Sequence, residues 1–188
     1  MSHSIRAAGV LAVVLLMGAA APVAAQGFEW TAAYQFQRLT CGDCGDPFNM
    51  PAGFYVDVAR RIMPNLHLVG QSDWSRKRES ETFGGTRFES TSTLSTFGAG
   101  ARWMSQTSPK ATPFIQALVG VTHESDKQTA AGFSESHSEN NRMVQFGGGV
   151  TVPVSGNIGV VGQLDYRRIF TEDQGVNSIR FVAGIRIR

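Results

Sequence analysis

The stretch Ile179-Arg180-Phe181-Val182-Ala183-Gly184-Ile185-Arg186-Ile187 decides the fold. Its odd positions are all apolar, while Arg180 and Arg186 share the even positions with Val182 and Gly184. In an extended chain this period of two places the two sets on opposite faces. One face is greasy from end to end, and the other carries guanidinium groups.

The same alternation recurs towards the N-terminus. In Phe28-Glu29-Trp30-Thr31-Ala32-Ala33-Tyr34-Gln35-Phe36-Gln37 the even positions are apolar or aromatic and the odd ones mostly polar or small. Further stretches at 53–63, 65–74, 88–104, 112–123, 142–154 and 157–170, with 178–187 last, bring the expected strands to eight. The connections alternate in length. Met63-Pro64-Asn65, 106–111 and 154–156 read as short turns; 38–52, 75–87 and 124–141 read as long polar loops, with 171–177 between the two classes. An even number of antiparallel strands with one short-turn end and one long-loop end predicts an all-β, eight-stranded antiparallel up-and-down transmembrane β-barrel. Both termini then fall at the short-turn, periplasmic end.

A soluble up-and-down barrel of the lipocalin kind is the alternative. Face polarity separates them, because a soluble barrel turns its apolar face inward. Here one face holds Arg102, Gln116, Gln145, Gln163, Asp165, Arg167, Arg180 and Arg186. Such a set fits a small polar interior, with the opposite face against lipid. Trp30, Trp74 and Trp103 all have the apolar parity near strand ends. Trp30 and Trp103 are expected in an aromatic girdle on the short-turn side, and Trp74 with Tyr166 and Phe170 on the long-loop side. Ordinary packing is the other reading of these rings.

Residues 1–25 combine Arg6, an apolar run to about Ala21 and the small-residue segment Ala21-Pro22-Val23-Ala24-Ala25. This is the pattern of a cleaved secretory signal peptide, with the barrel domain at 26–188, rather than of a retained anchor. Charged residues are 17% of the chain and the net charge is +2, which disfavours both a disordered chain and a polybasic nucleic-acid binder.

Pro113-Phe114-Ile115-Gln116-Ala117-Leu118-Val119-Gly120, Phe146-Gly147-Gly148-Gly149-Val150, Leu164-Asp165-Tyr166 and Ile179-Arg180-Phe181-Val182-Ala183-Gly184 resemble the strand signatures of the small bacterial outer-membrane β-barrel domain family, over most of residues 27–188. The resemblance implies an eight-stranded barrel in the outer membrane, inserted by the barrel assembly machinery. Family members commonly end in an aromatic residue that this machinery reads; here the sequence reads Ile185-Arg186-Ile187-Arg188.

On this register the lumen receives Glu29, Asp57, Asp73 and Asp165 against Arg61, Arg102, Arg167, Arg180 and Arg186. Buried charges persist when paired, and an eight-stranded barrel has room for little beyond side chains, so a plugged lumen is expected. Glu29 and Arg186 lie near the periplasmic ends of the two strands that must close the barrel and are expected to interact. Gly98, Gly100, Gly147, Gly149 and Gly184 face inward and make room for the long side chains. Gly147-Gly148-Gly149 is not a phosphate loop, since no helix follows it.

Three constellations carry chemistry. Cys41-Gly-Asp-Cys44 in the first long loop of an exported chain reads as a loop disulfide, with redox or zinc roles as weaker alternatives for want of a following helix or further ligands. His123-Glu124-Ser125 is similar to the His-x-Ser motif of outer-membrane lipid A deacylases, in which His is base to the Ser hydroxyl; Glu135, Glu139 and Glu172 are candidate acids, and a solvated rim segment is the plainer reading. His67 and His137 fit catalysis less well. Arg76, Lys77 and Arg78 beside Trp74 lie where lipopolysaccharide phosphates would sit, or simply begin a solvated loop. The expected function is a non-enzymatic, monomeric outer-membrane barrel without metal, cofactor or nucleic-acid partner. It sits among lipid and lipopolysaccharide and displays loops to the cell's structural needs or to an extracellular partner. A lipid A deacylase and a narrow pore are the alternatives.

Overall fold

The computed structural model describes residues 27–40, 47–83, 86–105, 108, 110–130, 133–171 and 175–188. The signal-peptide segment, Cys41, Cys44 and Glu172 lie outside these residues. Nine strands follow in chain order: β1 (Phe28–Thr40), β2 (Phe48–Met50), β3 (Ala52–Met63), β4 (Leu66–Phe83), β5 (Thr86–Met104), β6 (Thr112–Ala130), β7 (Phe133–Ser155), β8 (Ile158–Phe170) and β9 (Gly175–Ile187). All pairings are antiparallel between neighbours, and β1 also pairs with β9 from Trp30↔Ile187 to Thr40↔Asn177. The sheet therefore closes into a ring of eight, a transmembrane β-barrel with no open edge around its wall.

The strand beyond the ring of eight is β2, set off by an interruption. Tyr34 pairs with Phe54 and Gln37 with Met50, a register change of one residue across Pro51. Proline offers no N–H to the ladder, so the pairing breaks at Pro51 between β3, close to the strand expected at 53–63, and β2, which lies within the segment 38–52 expected as a loop. The short ends form as the sequence suggests: Pro64 and Asn65 turn β3 into β4, and Gly156-Asn157 turns β7 into β8. Gly156 has φ +46°, which a glycine adopts without strain.

The long-loop end departs from expectation. Segments 75–87 and 124–141, expected as loops, are mostly strand: β4 pairs with β5 as far as Phe83↔Thr86, and β6 with β7 as far as Ala130↔Phe133. Both faces of these extensions meet water, so no apolar alternation marks them. Hydroxyl-rich runs such as Ser90-Thr91-Ser92-Thr93 continue the ladder instead.

In the barrel wall the alternation sorts the side chains. Trp30, Tyr34, Phe54, Leu68, Phe97, Ile115, Val119, Phe146, Leu164, Ile179 and Phe181 stand outward and exposed. A band this apolar is stable only against hydrocarbon. Leu66 pairs with Trp103 at the short-turn end, and Trp74 pairs with Phe54 and Ser95 further up. Leu66 to Trp74 is about the nine to eleven tilted residues a strand needs to cross a bilayer.

The lumen and the outer rim as candidate functional sites

The lumen is built from one inward parity per strand. Arg102, Arg167, Arg180 and Arg186 are completely buried within it. Asp57 accepts two bonds from Arg102, at 2.7 and 3.3 Å, and one from the Tyr55 hydroxyl at 2.5 Å. Asp73 is held by Arg167 at 2.6 Å and Arg180 at 2.8 Å, with Gln35 and Gln71 donating at 3.2 and 2.9 Å. Asp165 takes Arg180 through Nη2 at 2.5 Å and Gln163 at 2.7 Å. The fork of Arg180 thus joins two carboxylates contributed by β4 and β8. The remaining guanidinium surface is stacked: Arg180 lies over Tyr55, and Arg102 and Arg186 lie over the ring of Phe114 at 4.9 and 4.7 Å.

Apolar side chains pack within this polar interior towards either end. Met104, Phe114 and Val161 pack together at the short-turn end. Met50, Leu94, Met143 and Ile169 do so at the other, with Leu39, Phe48 and Val176 against them. Inward glycines supply the space. A Cβ on Gly147 would collide with the Asp165 carboxylate, so that carboxylate occupies the volume a side chain would have taken.

Two sequence expectations need correction. Glu29 and Arg186 both face the lumen and feel each other's charge, but they form no direct ion pair. Glu29 meets Arg188 Nε at 3.0 Å and His67 at 4.0 Å, while Arg186 donates to Thr31 at 3.0 Å and Thr151 at 2.8 Å. The closing register sets Thr31 opposite Arg186, which brings Glu29 level with Arg188. Arg61 has the inward parity but stands exposed at the rim, where the β3–β4 register shifts between Arg61 and Met63.

At the outer rim His123 faces outward, and its Nδ1 is 2.9 Å from Asn140 Oδ1 rather than engaged with Ser125. Glu135 and Glu139 are on the opposite, inward face of β7, and Glu139 is bonded to His137 at 2.8 Å. Among the described residues no carboxylate therefore backs His123. Arg76 and Arg78 point outward just above Trp74, Arg78 pairing with Glu89 at 2.7 Å. Lys77 is turned inward over the Phe48 ring at 4.1 Å and pairs with Glu79 at 2.6 Å, so the basic triplet is not one surface.

Sequence adjacency missed a second basic group assembled across strands. Arg142 on β7, Arg168 on β8 and Arg38 on β1 share the outward parity near the same rim. Arg168 donates to Asn177 Oδ1, which also accepts the Tyr166 hydroxyl, both at 2.7 Å. Their signal is an outward-parity arginine near the loop end of three separate strands.

No family model matches the chain, and no curated protein matches it. Solved structures do. Neisserial surface protein A is similar at 18% identity and TM-score 0.63, over 86% of this chain and 96% of that one. Ail, the attachment invasion locus protein of Yersinia pestis, in complex with the heparin analogue sucrose octasulfate, is similar at 18% identity and TM-score 0.61, over 86% and 99%. The outer membrane protease OmpT of Escherichia coli is similar at 8% identity and TM-score 0.52, over 87% and 97%. The shared property is the transmembrane barrel fold.

Proposed function

We propose that this chain is an outer-membrane barrel that works by display, as a closed and rigid wall carrying surface hairpins, and not by conduction or catalysis. The observation that carries the reading is the filled lumen: Arg102, Arg167 and Arg180 interlock with Asp57, Asp73 and Asp165, Arg186 is buried between Thr31 and Thr151, and all four guanidiniums are completely buried. The His123–Asn140 bond, with both nearby glutamates on the other face, speaks against a deacylase. Residues 1–25 act as the export signal, and Cys41 and Cys44 form a loop disulfide in the oxidising compartment.

Lipopolysaccharide is the surrounding lipid at the outer rim. Arg38, Arg76, Arg142 and Arg168 lie on the outward face, where guanidinium forks suit the phosphates of its sugars. Ail, with which this chain shares its fold, takes a polysulfated sugar, an anion of related chemistry.

The test is fractionation of cells, gel migration with and without boiling, and planar-bilayer recording on the same protein. The expected result is an outer-membrane, heat-modifiable band with no discrete conductance. Steady single-channel steps would replace display with a pore, and a soluble band would invert inside and outside. Lipid A acyl chains unchanged between His123→Ala/Ser125→Ala cells and the parent complete the expectation.

A further inference from the structure

Above the Trp74 row, the strands β4 to β7 run on as a four-stranded sheet. Trp74, Ser95, His123 and Asn140 are successive partners across it. Beyond them β4 reaches Phe83 and β6 reaches Ala130, roughly 25–30 Å of extended chain at about 3.4 Å per residue. Its two faces carry opposite charge. The face away from the barrel axis holds Arg76, Arg78, Arg87 and Lys127 among serines and threonines, with Glu89 bridged by Arg78 and Arg87. The face continuous with the lumen holds Glu79, Glu81, Glu124, Asp126, Glu135 and Glu139 against Lys77 and His137.

This segregation has no counterpart in self-neutralisation. Lys77 satisfies Glu79 and His137 satisfies Glu139, whereas Glu81, Glu124, Asp126 and Glu135 have no ion-pair partner among the described residues. Burial first, and then the charges of Asp126 and Glu139, hold the Glu124 carboxyl above its ordinary value against the opposing charge of His137. On the same face two aromatic rings are left in water: Phe88 is 46% exposed and Phe133 82%. With Glu79, Glu81, Gln128 and Glu135, and with Glu89, Thr129 and Ser134 of the other face at its edge, they line a cleft of about 660 Å³, within the size range of ligand sites.

From the apolar floor and the uncompensated carboxylate walls we infer that the lumen-side face of this sheet is a docking surface for a cationic peptide segment bearing an apolar side chain. A lysine or arginine side chain brings both the stem that covers Phe88 and Phe133 and the charge that Glu81 and Glu135 lack. The inference rests on the reading that these hairpins stand outside the cell.

The full chain, folded into nanodiscs of zwitterionic phosphatidylcholine, is titrated with a short labelled peptide of lysines interspersed with leucine. The same peptide with glutamate for every lysine is the control. Binding is expected for the lysine peptide only, weakening steeply with salt. Glu81→Gln/Asp126→Asn/Glu135→Gln weakens it roughly tenfold or more, as does Phe88→Ser/Phe133→Ser. Arg76→Gln/Arg87→Gln/Lys127→Gln on the opposite face leaves it unchanged or tighter. Heat-modifiable migration verifies that each variant is folded. Equal losses from variants of both faces, equal binding of the glutamate peptide, or displacement by calcium beyond that by sodium at matched ionic strength overturns the site. Trypsin on intact cells tests placement separately: cleavage after Arg87 or Lys127 is expected. Protection there, with selective binding intact in nanodiscs, overturns the outside partner and leaves the chemistry of the face standing.

Discussion

At the scale of single residues, Asp73 is a hub of the lumen, accepting from Gln35, Gln71, Arg167 and Arg180. Removing its charge leaves the buried Arg167 without a carboxylate and leaves Arg180 with Asp165 alone. Asp73→Asn is therefore expected to destabilise the folded barrel by about 3–5 kcal/mol, the range for breaking a buried ion pair from one side, read as the shift in reversible urea unfolding in lipid vesicles. Glycines give a paired test: Gly147→Ala drives a methyl into Asp165 and should lower stability by roughly 1–3 kcal/mol, while Gly70→Ala, whose Cβ meets nothing, should be near neutral. His137 gives a pH readout in water. Its bond to Glu139 raises its pKa above the ordinary value and lowers that of Glu139. The pair is therefore intact between the two folded pKa values. It is lost as pH rises through that of His137 or falls through that of Glu139. A proton NMR titration should show His137 losing its proton above about pH 6.5, and Glu139→Gln should bring the midpoint back towards that value. Parity made the inward Asp and Arg legible in the sequence except Arg61, which the register shift at the rim leaves exposed. Which acid meets which base was not legible, because partner choice depends on cross-strand offset: Glu29 lies level with Arg188 and not Arg186 once Thr31 is set opposite Arg186.

At the scale of elements, the sequence speaks wherever one strand face is wet and the other dry, and falls silent where both faces see the same solvent. Strands β1, β8 and β9 were readable for that reason. The upper halves of β4 to β7 were not, since Glu79, Ser80, Glu81 and Thr82 offer no apolar stripe to count. The split between β2 and β3 is the opposite case, with Pro51 visible but its effect on register not. If the projecting sheet contributes only to the surface, its loss should leave the wall intact. Replacing 125–138 with a two-residue turn is expected to preserve heat-modifiable migration and to move the urea midpoint little, because the lumen network draws on no residue of that segment. Failure to fold would make the hairpin part of the assembly pathway.

At the scale of the whole molecule, the arrangement is that of a soluble protein turned inside out. Charge is interlocked at the centre and hydrocarbon is displayed outward, and each feature requires the other. The closed ladder pairs the backbone groups of the wall with one another so that none is left unsatisfied against lipid, the inward side chains pair among themselves, and the apolar exterior suits the whole to a membrane. The exterior can be tested by depth. Val119 is 64% exposed on the outward face of β6, between the Trp103 and Trp74 levels, and Ser136 is exposed on β7 beyond the rim. Val119→Arg is expected to cost about 2–4 kcal/mol in equilibrium folding into vesicles, the penalty for arginine near the bilayer midplane, whereas Ser136→Arg should cost about 0–1 kcal/mol. The outward band lies in lipid if the two substitutions differ in this way. Equal, small penalties would put Val119 in water, and the polar centre would then have to be explained as the core of a soluble barrel, which a set of fully buried arginines makes physically costly.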